Sequence, residues 1–121
     1  ARGTARINFF KEKRLVMIFD EAIEKKVRDL GLSYPKGIIG RRCENVGLGQ
    51  HIIWQLPDTH PFYYASVIHD FEYCIKGSNS SKVADDRMLK NFLILAGESQ
   101  FRKAQAYLFY GIARVYGMFR Y

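Results

Sequence analysis

The stretch Ala65-Ser66-Val67-Ile68-His69-Asp70-Phe71-Glu72-Tyr73, followed a short turn later by Ala84-Asp85-Asp86-Arg87, decides the fold. On a helix, positions four apart share a face, so His69 and Tyr73 point the same way. Asp70 lies about 100° around from His69. Ala65, Val67, Ile68 and Phe71 surround these polar groups and put at least one of them in a partly buried setting. A buried imidazole or carboxylate needs a partner, and the Asp pair of the next helix supplies it. The turn Gly77-Ser78-Asn79-Ser80 is short, so the helices on either side pack antiparallel. His69 stands about six residues before that turn and Asp85 about five after it, at similar height for a rise of ~1.5 Å per residue. Asp85 shares its face with Leu89 and Phe92, which favours it over Asp86 as the partner of His69 and Tyr73.

Working outward, Pro57, Asp58, Thr59 and Pro61 start the first of these helices, with Asp58 or Thr59 as N-cap. It runs from about residue 62 to 75. The second begins near Ser81, continues through Leu89, Phe92, Leu93 and Ala96, and stops at Gly97. Ser99 caps a last helix whose Phe101, Ala104, Leu108, Ile112 and Val115 form one apolar stripe. Toward the N-terminus, residues 15–31 read as a helix, with Phe19, Ile23, Val27 and Leu30 at helical steps and Gly31 closing it. Glu21–Lys25 and Glu24–Arg28 are favourably oriented pairs on its outer faces. Residues 33–57 are broken by Pro35, Gly37, Gly40, Gly47 and Gly49. Their strand candidates are Ile38-Ile39 and His51-Ile52-Ile53-Trp54. Residues 1–14 form a basic arm, either extended or the first turns of a helix, and residues 118–121 form an aromatic, basic tail.

The fold expected is therefore mainly α in one domain. It has a central antiparallel helix pair, a C-terminal helix, an N-terminal helix and a small irregular β segment. At 121 residues with 26% charged and 48% hydrophobic residues, the chain is globular rather than disordered. No signal peptide is read at its start, and no apolar run approaches the ~18 residues of a membrane span. Cys43 and Cys74 allow at most one bridge and are expected to be reduced, structural thiols. The net charge of +7 is uneven: residues 1–42 carry +6, residues 43–98 carry −3 and residues 99–121 carry +4. Basic ends fit docking onto nucleic acid, an anionic surface or an acidic protein. Arg2, Arg6, Phe9, Phe10 and Arg14 at one end, and Arg114, Phe119 and Arg120 at the other, are the candidate docking residues. His51 and His60 read as loop residues, and Trp54 as a cap on the core.

A helix reading His-Asp-x-x-Tyr against a second helix with an inward Asp resembles the core of the phospholipase A2 superfamily, including its parvoviral capsid form. The sequence is similar, too, to a family of small uncharacterised phage and prophage proteins. The residues that carry this are Trp54-Gln55-Leu56-Pro57, Ala65 to Tyr73, Ala84-Asp85, and Tyr110 to Gly117. The resemblance spans about residues 54–117. The phospholipase likeness implies His69 as general base oriented by Asp85, Tyr73 holding that carboxylate, and Asp70 binding Ca²⁺ with carbonyls near Gly47 and Gly49. The Tyr-Gly-Cys calcium loop and the disulfide framework of the secreted enzymes are missing from the sequence.

The phage likeness implies a virion structural or adaptor protein, made in the host cytoplasm, with no cofactor and with other virion proteins in many copies as partners, nucleic acid among the contacts. In that reading His69, Asp70, Tyr73 and Asp85 are a polar clasp between two helices. The competing expectation is a Ca²⁺-dependent lipid esterase that aids envelope penetration. A third is a small DNA-binding module, for which the sequence offers no recognition helix.

Overall fold

The computed structural model describes residues 6–9, 15–44, 56–75 and 80–120. The described residues are mainly helical with one small sheet. Strands β1 (Arg6–Phe9), β2 (Leu15–Ile18) and β3 (Arg42–Glu44) lie in the order β1-β2-β3, both pairings antiparallel. Helices α1 (Glu21–Asp29), α2 (Tyr63–Ile75), α3 (Ser81–Ala96) and α4 (Gln100–Arg120) follow, with a 3-10 turn at Lys36–Ile38 between α1 and β3.

The N-terminal reading needs correction. Helix α1 starts at Glu21, where Asp20 caps it by accepting the Ile23 N–H at 3.0 Å. Leu15–Ile18 is a strand instead, and part of the basic arm, Arg6–Phe9, is its hairpin partner. A four-residue apolar run does not distinguish strand from helix by periodicity; pairing on both sides of β2 decides it. Ile23 and Val27 are fully buried, as the helical stripe requires, and Phe19, between β2 and α1, is buried as well. Gly31, at φ +77°, takes the left-handed turn that ends α1. Lys25 pairs with Asp29 rather than Glu21, at 2.7 Å, while Arg28 sits 3.7 Å from Glu24. Of the strand candidates, Ile38 is in the 3-10 turn, and His51 to Trp54 lie outside the described residues.

Helix α2 is the axis of the fold. Every residue from Ala65 to Tyr73 is buried, so α2 is enclosed on all sides rather than on one face. Phe71 meets Phe19 edge-on at 5.4 Å, and Phe62 stacks on Phe92 at 4.3 Å with Phe109 against both. Helix α3 is capped by Ser80, and it ends at Gly97 as expected. Ser99 accepts the Arg102 N–H at the start of α4.

The expected inward stripe of α4 is reversed. Phe101, Leu108 and Val115 are 68%, 60% and 59% exposed, while the buried positions are Ala106, Ala113 and Gly117. Small residues face inward because α4 packs closely over α3 and the end of α2. A Cβ at Gly117 would stand 2.5 Å from the Tyr73 hydroxyl and 2.8 Å from Ser81 Cβ.

Cys43 and Cys74 are joined in a disulfide, Cα–Cα 6.2 Å, contrary to the expectation of reduced thiols. It ties β3 to the last turn of α2 across 31 residues. A loop of that length gives about 3–4 kcal/mol on the chain-entropy estimate.

Candidate functional site

Because α2 is buried all round, each polar residue on it must find a partner inside the protein. His69 and Tyr73 find the same one. The His69 Nε2–H donates to Asp85 Oδ1 at 2.6 Å, and the Tyr73 hydroxyl donates to that oxygen at 2.8 Å. A carboxylate only accepts, so Nε2 is the donor in this bond. The other Asp85 oxygen, Oδ2, accepts from Arg114 Nη1 at 2.9 Å, and Arg114 also donates to Ser81 Oγ at 3.2 Å. The His69 and Asp85 side chains are both 0% exposed, and that of Arg114 is 27% exposed. One carboxylate thus gathers donors from α2 and α4 onto α3, with the guanidinium balancing its charge.

The two aspartates behave as the helical phase predicts. Asp85 faces in; Asp86 faces out, salt-bridged to Lys82 at 2.7 Å and accepting the Tyr110 hydroxyl at 2.7 Å. The Lys82 and Tyr110 hydrogen bonds hold the Asp86 carboxyl below the ordinary carboxylate range. Asp70 is buried at 2% exposure beside His69 in the chain. His69 Nδ1 is buried and has no hydrogen-bond partner among the described residues.

Arg114 belongs to this network rather than to the docking surface that its basic neighbourhood suggested. Its position between Ala113 and Gly117, on the small-residue side of α4, is the signal that places it inward. Of the other docking candidates, Arg2, Phe10 and Arg14 lie outside the described residues. So do the side chains of Arg6 and Phe9 in β1, and of Phe119 and Arg120 at the end of α4.

A second buried network, not read from the sequence, occupies another side of α2. Glu72, 0% exposed, lies 2.9 Å from Arg87 Nε, a charge contact with the N–H aimed off the oxygen. Arg87 Nη1 donates to Ser33 Oγ at 2.9 Å. Asn91 clamps the Ser33 backbone, accepting its N–H and donating to its carbonyl, both at 2.8 Å. The spacing of Arg87 and Asn91, four apart on α3, was the available cue.

His60 acts locally, its Nδ1 accepting the Phe62 N–H at 3.0 Å just before α2. Burial first, and the Arg102 charge second, push its pKa below the usual value.

The calcium shell implied by the phospholipase likeness is not made up by the described residues. Calcium takes six to eight oxygens. Of the implied ligands only Asp70 is described; Gly47 and Gly49 lie outside the described residues. No group of three His, Cys, Asp or Glu suited to a metal occurs among the described residues. None of their helices is long and apolar enough to cross a membrane. No family model matches the chain, and neither a curated protein nor a solved structure matches it.

Proposed function

We propose that the chain is a non-enzymatic structural or adaptor protein of a phage-type particle, with His69, Tyr73, Asp85 and Arg114 as a clasp that locks α2, α3 and α4 together. The observation that carries this reading is the complete burial of the His69 ring and the Asp85 carboxylate. A general base must reach the proton that it removes, directly or through one water. The Asp85 carboxylate accepts from three side chains, the arrangement that holds a buried charge in a fold.

Docking falls to the basic ends, at Arg2, Arg6, Phe9, Phe10 and Arg14 and at Phe119 and Arg120, toward other virion proteins present in many copies and toward nucleic acid. The Cys43–Cys74 bridge suits a protein whose working place lies outside the reducing host cytoplasm. The test is turnover on phospholipid vesicles over a full calcium titration. The expected result is none, together with a loss of fold stability in His69→Ala. Hydrolysis abolished by His69→Gln would overturn it.

One observation favours the second reading, a phospholipase A2-like hydrolase with an inner core of related fold. His69 Nδ1 has no hydrogen-bond partner among the described residues, and the opposite nitrogen is oriented by Asp85. That is the arrangement of a base positioned by a carboxylate. In this reading Asp70 belongs to the ion site, and no step through calcium follows from the described residues. Calcium binding that disappears in Asp70→Asn is the outcome specific to it.

A further inference from the structure

Helix α4 carries two apolar faces, and the fold uses one. Its inward face is Ala106, Ala113 and Gly117; the exposed residues Phe101, Ala104, Leu108, Gly111, Val115 and Met118 repeat at alternating steps of three and four. That is a two-position heptad seam over about 26 Å of helix. No charged residue interrupts it. Arg102, Lys103 and Arg120 occupy helix positions at least about 100° from its centre line, and Arg114, which flanks it at about 80–90°, is turned onto Asp85.

Two features define what covers this seam. The first is Gly111. Glycine weakens a helix interior relative to alanine, and Gly117 has a reason inside the molecule, the Tyr73 hydroxyl and Ser81. Gly111 has none among the described residues: a Cβ there would meet nothing of theirs within 4 Å. Close approach by something outside the chain explains it, as small residues do wherever helices pack tightly. A lipid surface gains little from burying Ala104 and Gly111, so the small positions argue for a helix.

The second is size order. If the seam is laid antiparallel on itself about a two-fold axis between Leu108 and Gly111, Leu108 faces Gly111 of the other copy, Val115 faces Ala104, and Phe101 faces Met118. At the centre each large residue meets a small one, the self-complementarity that an isologous interface demands. We propose that α4 is the dimer interface of this protein, pairing antiparallel with α4 of a second copy. Two helical faces of about 26 Å by 10–12 Å come to roughly 500–600 Å², well under the ~1,200 Å² of a standard specific interface. The dimer is therefore a weak, concentration-dependent one. It goes beyond the docking role proposed above, which falls to the basic ends, and stands without it.

The experiment is sedimentation equilibrium of the full chain from roughly 10 to 500 µM, a range suited to a weak interface. Four proteins are compared: wild type, Leu108→Gly, Gly111→Leu, and the double swap. The expected result is a rise from 14.1 kDa toward twice that mass in wild type. Each single variant loses at least tenfold in association, one by a void and the other by a clash. The swap recovers it, because leucine and glycine again face each other. Far-UV circular dichroism checks the fold, and all the changes fall at exposed positions. A wild type monomeric at every concentration overturns the proposal, as does a swap no better than the single variants. Binding to phospholipid vesicles by a chain that stays monomeric would assign the face to a membrane and overturn it too. A monomer that still binds its particle partners would sink the dimer and leave the docking role standing.

Discussion

On one side of α2, Glu72 meets Arg87, and Arg87 and Asn91 together hold Ser33. On another, His69 and Tyr73 meet Asp85, and Arg114 closes on the same carboxylate. The first network reaches a backbone segment and spreads over several acceptors. The second is side chain on side chain and converges on a single group. A distributed anchor loses one contact at a time, whereas a convergent clasp has one residue whose loss takes a bond from every other.

The largest effect is expected at that residue. Asp85→Ala removes the acceptor that Arg114, His69 and Tyr73 share and costs about 3–5 kcal/mol, the range for breaking a buried ion pair. Asn91→Ala, in the distributed network, costs about 1–3 kcal/mol through the unpaired Ser33 backbone groups. Urea unfolding of both variants checks the ranking; equal losses would break the contrast. Next comes the Cys43–Cys74 bridge at the end of α2, next to Tyr73. Reduction should lower stability by about 3–4 kcal/mol, read as a fall in melting temperature with added reductant.

Glycine offers a sharper comparison with smaller effects. Gly117→Ala drives a methyl against Tyr73 and Ser81 and should destabilise by about 1–3 kcal/mol. Gly111→Ala should stabilise the monomer by up to ~1 kcal/mol. Opposite signs in thermal melts of dilute protein confirm that one glycine serves the clasp and the other does not.

The smallest effect concerns His60. Its folded pKa lies below its ordinary value of 6.5, so the unfolded chain binds the proton more readily. Stability is then full above pH 6.5 and declines as pH falls from there toward the folded pKa. His60→Asn keeps an acceptor for Phe62 N–H and should flatten that decline in a pH series of melts.

Helices α3 and α4 were legible because capping residues and a glycine bound them: Ser80, Gly97 and Ser99 sit where the structure starts and stops them. Helix α2 starts at Tyr63, so Asp58 and Thr59, the expected caps, lie in the turn before it. The pairing of His69 with Asp85 was legible because a short turn fixes the height of facing residues. The sheet was not, since Leu15–Ile18 gains its strand identity from partners at Arg6–Phe9 and Arg42–Glu44, the latter distant in sequence. Nor was the inward face of α4. A search for large apolar residues selects Phe101, Leu108 and Val115, whereas close packing on α3 selects alanine and glycine. Arg114 was misplaced for the same reason: with the wrong face taken as inward, a cation beside Ala113 read as surface charge. The disulfide joins residues whose spacing carries no signal.

The most direct test of the clasp is the urea unfolding free energy of His69→Ala against wild type. Removal of a buried ring that donates to Asp85 predicts a loss of about 2–4 kcal/mol, from the cavity and from the carboxylate left short of a donor. Stability equal to or above that of wild type would contradict the clasp, because that is the behaviour of a group retained for chemistry at the expense of the fold.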